Sequence, residues 1–509
     1  MKQLGKKRFT GLLCVIGLNV MTCYAQADYL KFDVEKYKVQ QLACSGKAFT
    51  IRAYEGIVYV LNPVDTVSQC MNIYIPEEYF RGESVNGYTA VTAPIFYPNQ
   101  VGGYMPALPA STSGRKFQPL RNGNAGFEKK PPVDFQNDPE ANAVVVALSH
   151  GYVVASAGAR GRTNQDASGR YYGKAPAGLI DLKAGVRYLK HNDAIMPGDA
   201  NKIISNGTSA GGAMSALLGA TGDNPDYLPY LNEIGAAATS DAIFATSAYC
   251  PITNLENADM AYEWQFVGVN TYKKGGPFGT APNAGETSLS VAQIQVSSDL
   301  GKMFPAYLNS LALKDPDGIL LTLDPTGEGS FKEYLKKQIL IAANRAIKFG
   351  SDLSNHAWLT LEDGHATQLN WPAYMKYLER QKTPPAFDAL DLSSAENMEF
   401  GSTATAAQHF TDYAMQHSAI PTATRADKKI VKMMNPMNYI GATNTRVAHH
   451  WRIRHGAKDK DTGFAVSAML TLKLQNSGFD VDYLLPWDVR HSGDYDLPEL
   501  FTWIDKISR

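Results

Sequence analysis

Cysteine is scarce in this 509-residue chain, with five in all. Two of them, Cys14 and Cys23, fall in the N-terminal stretch, which leaves Cys44, Cys70 and Cys250 for the body of the protein. None is spaced as a CxxC pair, so no zinc site is expected. Charge of one sign is also missing. The chain carries 48 Lys and Arg against 49 Asp and Glu, a net charge of -1. Such a balance lacks the basic excess that points to nucleic acid and the acidic tail of a solvating segment. After the N-terminus no apolar run is long enough to cross a membrane, which takes about 20 residues. Internal repeats and low-complexity tracts are absent, which argues against a structural or adhesion protein of the cell envelope.

What remains is an ordinary globular composition, 44% hydrophobic and 19% charged. A single core stops growing near about 250–300 residues. The length therefore implies one enlarged domain with a large insertion, or two domains. Residues 1–27 read as a signal peptide. Lys2, Lys6, Lys7 and Arg8 form a basic start, Phe9 to Met21 an apolar stretch, and Ala25-Gln26-Ala27 a cleavage region. Export to the periplasm or the exterior follows as an expectation. In that setting Cys44 and Cys70 could pair as a disulfide; the alternative is three unpaired, buried thiols.

Short β-like runs at Ile57–Leu61, Met71–Ile75 and Val91–Tyr97 open the chain, and a loop-like stretch fills 102–138. Ala143–Leu148 and Tyr152–Ala155 are continuous apolar runs that suit buried parallel strands. Leu179–Leu189 has helical spacing, Lys202–Ser205 reads as a strand, Gly211–Leu218 as a helix and Ile243–Tyr249 as a strand. Strand alternating with helix indicates a parallel α/β sheet. The rhythm stops after residue 250. Residues 251–430 read as an inserted, mainly helical lid, with helices at Val291–Leu311, Phe331–Phe349 and Trp371–Arg380. It returns with a strand at His450–Arg454, a helix at Phe464–Gln475, a strand at Val481–Trp487 and a closing helix at Leu497–Ile507. Residues 28–250 and 431–509 together then form the catalytic domain, an α/β-hydrolase fold.

Gly207-Thr208-Ser209-Ala210-Gly211-Gly212 matches G-x-S-x-G between a strand and a helix. That context is what a nucleophile elbow requires, because the tight turn excludes side chains on both flanks. A serine hydroxyl is a weak nucleophile and needs a base, which needs an orienting acid. In this fold the order along the chain is Ser, acid, His. Of the ten histidines, His491 fits the loop after the last strand. The acid belongs in the loop after His450–Arg454, where Asp459 and Asp461 both qualify and spacing does not choose between them. The oxyanion hole is expected from the Ala210 N–H and from Gly102-Gly103, which follow the strand ending at Tyr97.

The blocks VGGYMP at 101–106, GTSAGG at 207–212 and SDAIFATSAYCPITNLENADMAYEW at 240–264 resemble bacterial tannases, esterases that cleave galloyl esters. KTPPAFD at 382–388, AENMEFG at 395–401, HWRIRHGAKDKDT at 450–462 and HSGDYDL at 491–497 extend the resemblance over most of the chain after about residue 60. It implies Asp459 as the acid, and Asp461, Lys382 and Glu396 as contacts to the galloyl hydroxyls. Three adjacent phenolic hydroxyls suit such a set, since carboxylates accept from them and an ammonium donates to a phenolic oxygen. Fungal-type tannases and feruloyl esterases have cysteine before the nucleophile, where this chain has Thr208. Their calcium site and disulfide are accordingly not expected. The expectation is a serine esterase for a small phenolic ester, with no cofactor, no metal and no nucleic-acid partner. A feruloyl esterase, another carboxylesterase, a serine peptidase or a non-catalytic binding protein on the same scaffold are the alternatives.

Overall fold

The computed structural model describes residues 29–113, 142–273 and 285–509. The signal-peptide reading of 1–27 and residues 114–138 of the loop-like stretch lie outside the described residues. Nine strands form one sheet: β1 (Lys38–Cys44), β2 (Lys47–Val58), β3 (Cys70–Pro76), β4 (Pro94–Pro98), β5 (Val153–Ala157), β6 (Asp199–Thr208), β7 (Ala245–Tyr249), β8 (His450–Arg454) and β9 (Asp480–Leu484). Their order is β1-β2-β3-β5-β4-β6-β7-β8-β9. The first three are an antiparallel meander, joined antiparallel to β5. From β5 to β9 every pairing is parallel. The core strands β4, β5 and β7 are buried along their whole length, as expected for strands covered on both faces by helices.

The Ala143–Leu148 run is not a strand. It is helix α1 (Ala143–Ser149), opened by Asn142, whose side chain accepts the N–H of Val144. A short buried apolar run has no periodicity that separates helix from strand, and here the cap decides. The expected helices are present as α2 (Ala177–His191), α3 (Ala210–Ala220), α9 (Phe464–Asn476) and α10 (Leu497–Ser508), with shifted ends, whereas the Ile57–Leu61 run is not a strand of its own: β2 ends at Val58 and the chain turns away over 59–61. The chain leaves the sheet after β7 and returns at β8. Between them lie α4 (Leu255–Gln265), α5 (Val291–Ser310), α6 (Ser330–Lys348), α7 (Trp371–Leu378) and α8 (Ala395–Glu399), with a hairpin of Leu359–Glu362 on His365–Leu369. Among the described residues no helix is long and apolar enough to cross a membrane.

Cys44, Cys70 and Cys250 are free thiols. The register explains why the first two do not pair. Cys44 lies opposite Lys47 and Cys70 opposite Val58, at the two ends of β2. Strand rise puts them on the order of 30 Å apart, far beyond the roughly 7 Å limit for a disulfide.

Candidate active site

β6 delivers Ser209 at its C-terminal end, and α3 starts on the next residue. Ser209 has φ 61 and ψ -122, a conformation that an L-residue keeps only where its surroundings impose it. Two glycines make the turn feasible. A Cβ at Gly211 would stand 2.6 Å from the Val101 carbonyl, and one at Gly207 would fall on the Gly211 carbonyl. Asn99 holds the same turn from the side. Its amide donates to Asn206 O, Gly211 O and Ser215 Oγ at 3.0–3.1 Å, and its Oδ1 accepts Val101 N at 3.2 Å. The loop after β4 is thereby fixed against the elbow.

That loop carries Gly102 and Gly103. Among the described residues neither of their N–H groups has an acceptor, and the Ala210 N–H is an unpaired first-turn donor of α3. The Gly103 carbonyl is occupied by the Arg162 side chain at 2.8 Å, while Arg162 N donates to Tyr104 O and Ala107 pairs with Ala159. Arg160 then ties this strap to α2 by donating from Nε and Nη2 to the buried Asp181 carboxylate at 2.8–3.2 Å.

The loops after β8 and β9 close the constellation. His491 Nδ1 bonds Asp459 Oδ2 at 2.8 Å. The other oxygen of Asp459 accepts the N–H of Asp461 at 2.8 Å and of Thr462 at 3.4 Å. Asp459 is fully buried. Burial pushes its pKa up, but His491 and His455 outweigh that and hold it below the usual carboxylate range. For His491 burial favours the neutral ring, yet Asp459, Cys250 and Asp461 together raise it well above an ordinary imidazole. No hydrogen bond joins Ser209 Oγ to His491 among the described residues. Nε2 instead faces the Cys250 thiol at 3.9 Å. Catalytic hydrogen bonds are often long until substrate is bound. Gly493 lets the His491 loop sit directly on Thr208, whose hydroxyl occupies the space a Cβ would need.

Asp461 points elsewhere. It accepts Lys382 Nζ at 2.9 Å and Gln381 Nε2 at 2.8 Å. Burial works against its ionisation, but Lys382 and then His491 prevail and bring its pKa to about 2. Lys382 Nζ also lies 4.0 Å from the centre of the Phe387 ring. Glu396, on α8, is buried, and its carboxylate makes no hydrogen bond to another described residue. Burial raises its pKa, and the nearby Lys382 ammonium opposes the rise. The structure thus brings Asp461 and Lys382 into contact and sets Glu396 in the same electrostatic neighbourhood. His455, the competing histidine, is buried; among the described residues neither ring nitrogen is hydrogen-bonded, and Nε2 stands 3.6 Å from Asp459 Oδ2.

The BD-FAE family model matches residues 134–264, the segment from before α1 through α4 that contains Ser209. Among solved structures, the Fusobacterium nucleatum tannase is 49% identical, with 94% of this chain and 99% of that chain covered and a TM-score of 0.86. The Lactobacillus plantarum tannase is 42% identical over 94% of this chain and 100% of that one, with a TM-score of 0.87. A tannin acyl hydrolase in complex with ethyl gallate is 42% identical over 95% and 100%, with a TM-score of 0.86. This chain belongs to the bacterial tannase family. It is therefore an ester hydrolase on the α/β-hydrolase fold. No curated protein sequence matches it.

Three contributors to this tannase site escaped the sequence reading. Asn99 and Arg162 act through the backbone of loops distant in sequence, and nothing local marks them. Cys250 stands inside the quoted 240–264 block, one residue after β7, with φ 37. Its signal was present, but a lone cysteine reads as a buried thiol.

Proposed function

We propose that this tannase hydrolyses galloyl esters, such as alkyl gallates and hydrolysable tannins, through an acyl-enzyme on Ser209. His491 takes the serine proton, and Asp459 fixes the ring so that Nε2 is the basic nitrogen. The tetrahedral oxyanion is held by the N–H of Ala210 and those of the Gly102-Gly103 loop, whose free donors support the assignment. Protonated His491 then gives its proton to the leaving alcohol. Water attacks the acyl-serine with His491 as base again, releasing gallic acid.

The observation that carries this reading is the division of labour between two aspartates two residues apart. Asp459 serves His491 at 2.8 Å, and Asp461 serves Lys382 at 2.9 Å. The first arrangement suits an orienting acid. The second, with Glu396 nearby, suits recognition of adjacent phenolic hydroxyls. Lys382 and Glu396 come from the excursion between β7 and β8, which we assign as a lid over residues 251–430. The N-terminal stretch we assign to export.

The test is hydrolysis of methyl gallate beside methyl benzoate and methyl ferulate, with Ser209→Ala as control. Preference for gallate, lost in the variant, is the expected result. Equal rates on all three, or ferulate preferred, would remove the galloyl roles of Lys382, Glu396 and Asp461.

A further inference from the structure

Cys250 plays no part in the mechanism above, yet its sulfur faces the nitrogen on which that mechanism turns. Sγ lies 3.9 Å from His491 Nε2 and 3.4 Å from the Ser492 carbonyl, and the residue is 1% exposed. One ligand atom each from Cys250, Asp459 and His491 lie within 4.8 Å of one another. The backbone holds the thiol in place. Cys250 has φ 37, and its N–H donates to the Arg454 carbonyl at 2.6 Å. It is thereby fixed between β7 and the strand that leads into the Asp459 loop.

We propose that Cys250 Sγ and His491 Nε2 form a binding site for a thiophilic divalent cation, Zn²⁺ or Cd²⁺, and that its occupancy reversibly blocks the tannase by capturing the catalytic base. The geometry favours this. Zinc bonds of about 2.3 Å to sulfur and about 2.0–2.1 Å to nitrogen place the two donors about 3.6 Å apart at a tetrahedral angle. The observed 3.9 Å needs a closing of about 0.3 Å for zinc, and less for the larger cadmium ion. Thiolate with imidazole is a soft donor pair that selects such ions over magnesium or calcium. Asp459 supplies the outer partner common at metal-bound histidines. It accepts the hydrogen bond from Nδ1–H and leaves the Nε2 lone pair for the ion. Binding replaces the thiol proton and, where the ring is protonated, the proton on Nε2, and both leave to solvent. Water or the Ser209 hydroxyl completes the coordination shell.

The block on activity rests on His491 being the base, so binding and inhibition are measured separately. Binding is read in Ser209→Ala protein as the ultraviolet charge-transfer absorption of Cd²⁺ with thiolate. It is compared with S209A/C250S and S209A/H491A protein, in which Cys44 and Cys70 remain. Inhibition is read as methyl gallate hydrolysis with and without Cd²⁺ or Zn²⁺, each enzyme normalised to its own metal-free rate, with EDTA reversal. The expected result is absorption lost with C250S and weakened with H491A. Inhibition of the wild type should be reversed by EDTA, not reproduced by Mg²⁺, and shifted to concentrations about 10-fold higher or more by C250S. Equal absorption with and without Cys250, or equal inhibition of wild type and C250S, would overturn the site. Absorption that requires both residues without any inhibition would sustain the site and overturn His491 as the base.

Discussion

Asp459 and Asp461 are chemically identical and two residues apart, the first buried and the second half-buried, yet their replacement by asparagine should give opposite signatures. In Asp459→Asn the acceptor of His491 Nδ1 becomes an amide that can present N–H instead. The ring is then driven into the wrong tautomer. For a Ser-His-Asp triad that change lowers kcat by about 10⁴, and it should do so on methyl gallate and methyl benzoate alike. In Asp461→Asn the His491–Asp459 bond at 2.8 Å is untouched. What is lost is a charged acceptor for a phenolic hydroxyl, worth about 1.5–3 kcal/mol, or about 10- to 150-fold in kcat/KM. That loss should fall on gallate alone. Asp461→Asn also carries a stability signature. The carboxyl pKa falls from 3.8 to about 2 on folding, which corresponds to about 2 kcal/mol. A lowered folded pKa means that this stabilisation is present above pH 3.8 and lost as the pH falls through about 2. Denaturant unfolding at neutral pH should therefore show the variant less stable by that order. Steady-state kinetics on the two esters is the assay. The reasoning fails if Asp459→Asn keeps activity within tenfold of the wild type, or if Asp461→Asn slows benzoate as much as gallate.

Three further outcomes are expected. With neutral His491 as the proposed base and its pKa raised above the ordinary 6.5, kcat/KM for methyl gallate should rise with pH through an apparent pKa above about 6.5; a plateau already reached at pH 6 would contradict this. Burial, reinforced by Glu396 and opposed by Lys174 and Arg162, lifts Glu399 to about 8. A raised carboxyl pKa costs stability as the pH climbs from 4.5 towards 8, so Glu399→Gln should raise the melting temperature at pH 8 more than at pH 5; the reverse order would refute the burial of a protonated acid. Gly493→Ala forces a methyl group onto the Thr208 hydroxyl, which should cost about 1–3 kcal/mol of stability and lower kcat by displacing His491; a wild-type kcat would show that this loop has slack.

Much of this molecule could be read from its residues because local chemistry and global position agree. The elbow 207–212 announces itself through glycines that no other turn needs in that pattern, and the strand and helix around it have matching periodicity. His491 stands out in the sequence by its place after the last strand. The acid was not settled by spacing, since Asp459 and Asp461 differ only in which way the loop turns each side chain. In the fold their contacts differ: Asp459 bonds His491, and Asp461 bonds Lys382. Ala143–Leu148 misled because an apolar run buried all round looks the same as strand or helix, and a single Asn142 cap tips it. The disulfide suggestion failed for want of register: only the pairing along β2 reveals how far apart Cys44 and Cys70 lie. Arg162 on Gly103, Asn99 on the elbow and Cys250 against His491 are contacts between segments far apart in sequence. Asn99 and Arg162 leave no local pattern, and Cys250 leaves only that of a lone thiol.

The most direct single measurement is labelling with a fluorophosphonate probe, followed by peptide mapping and parallel assay on methyl gallate. The mechanism predicts one phosphonate per chain, on Ser209, with activity falling in proportion to label and both slowed by added gallate ester. Activity that survives complete modification of Ser209, or inactivation by label on Cys250 alone, would contradict it.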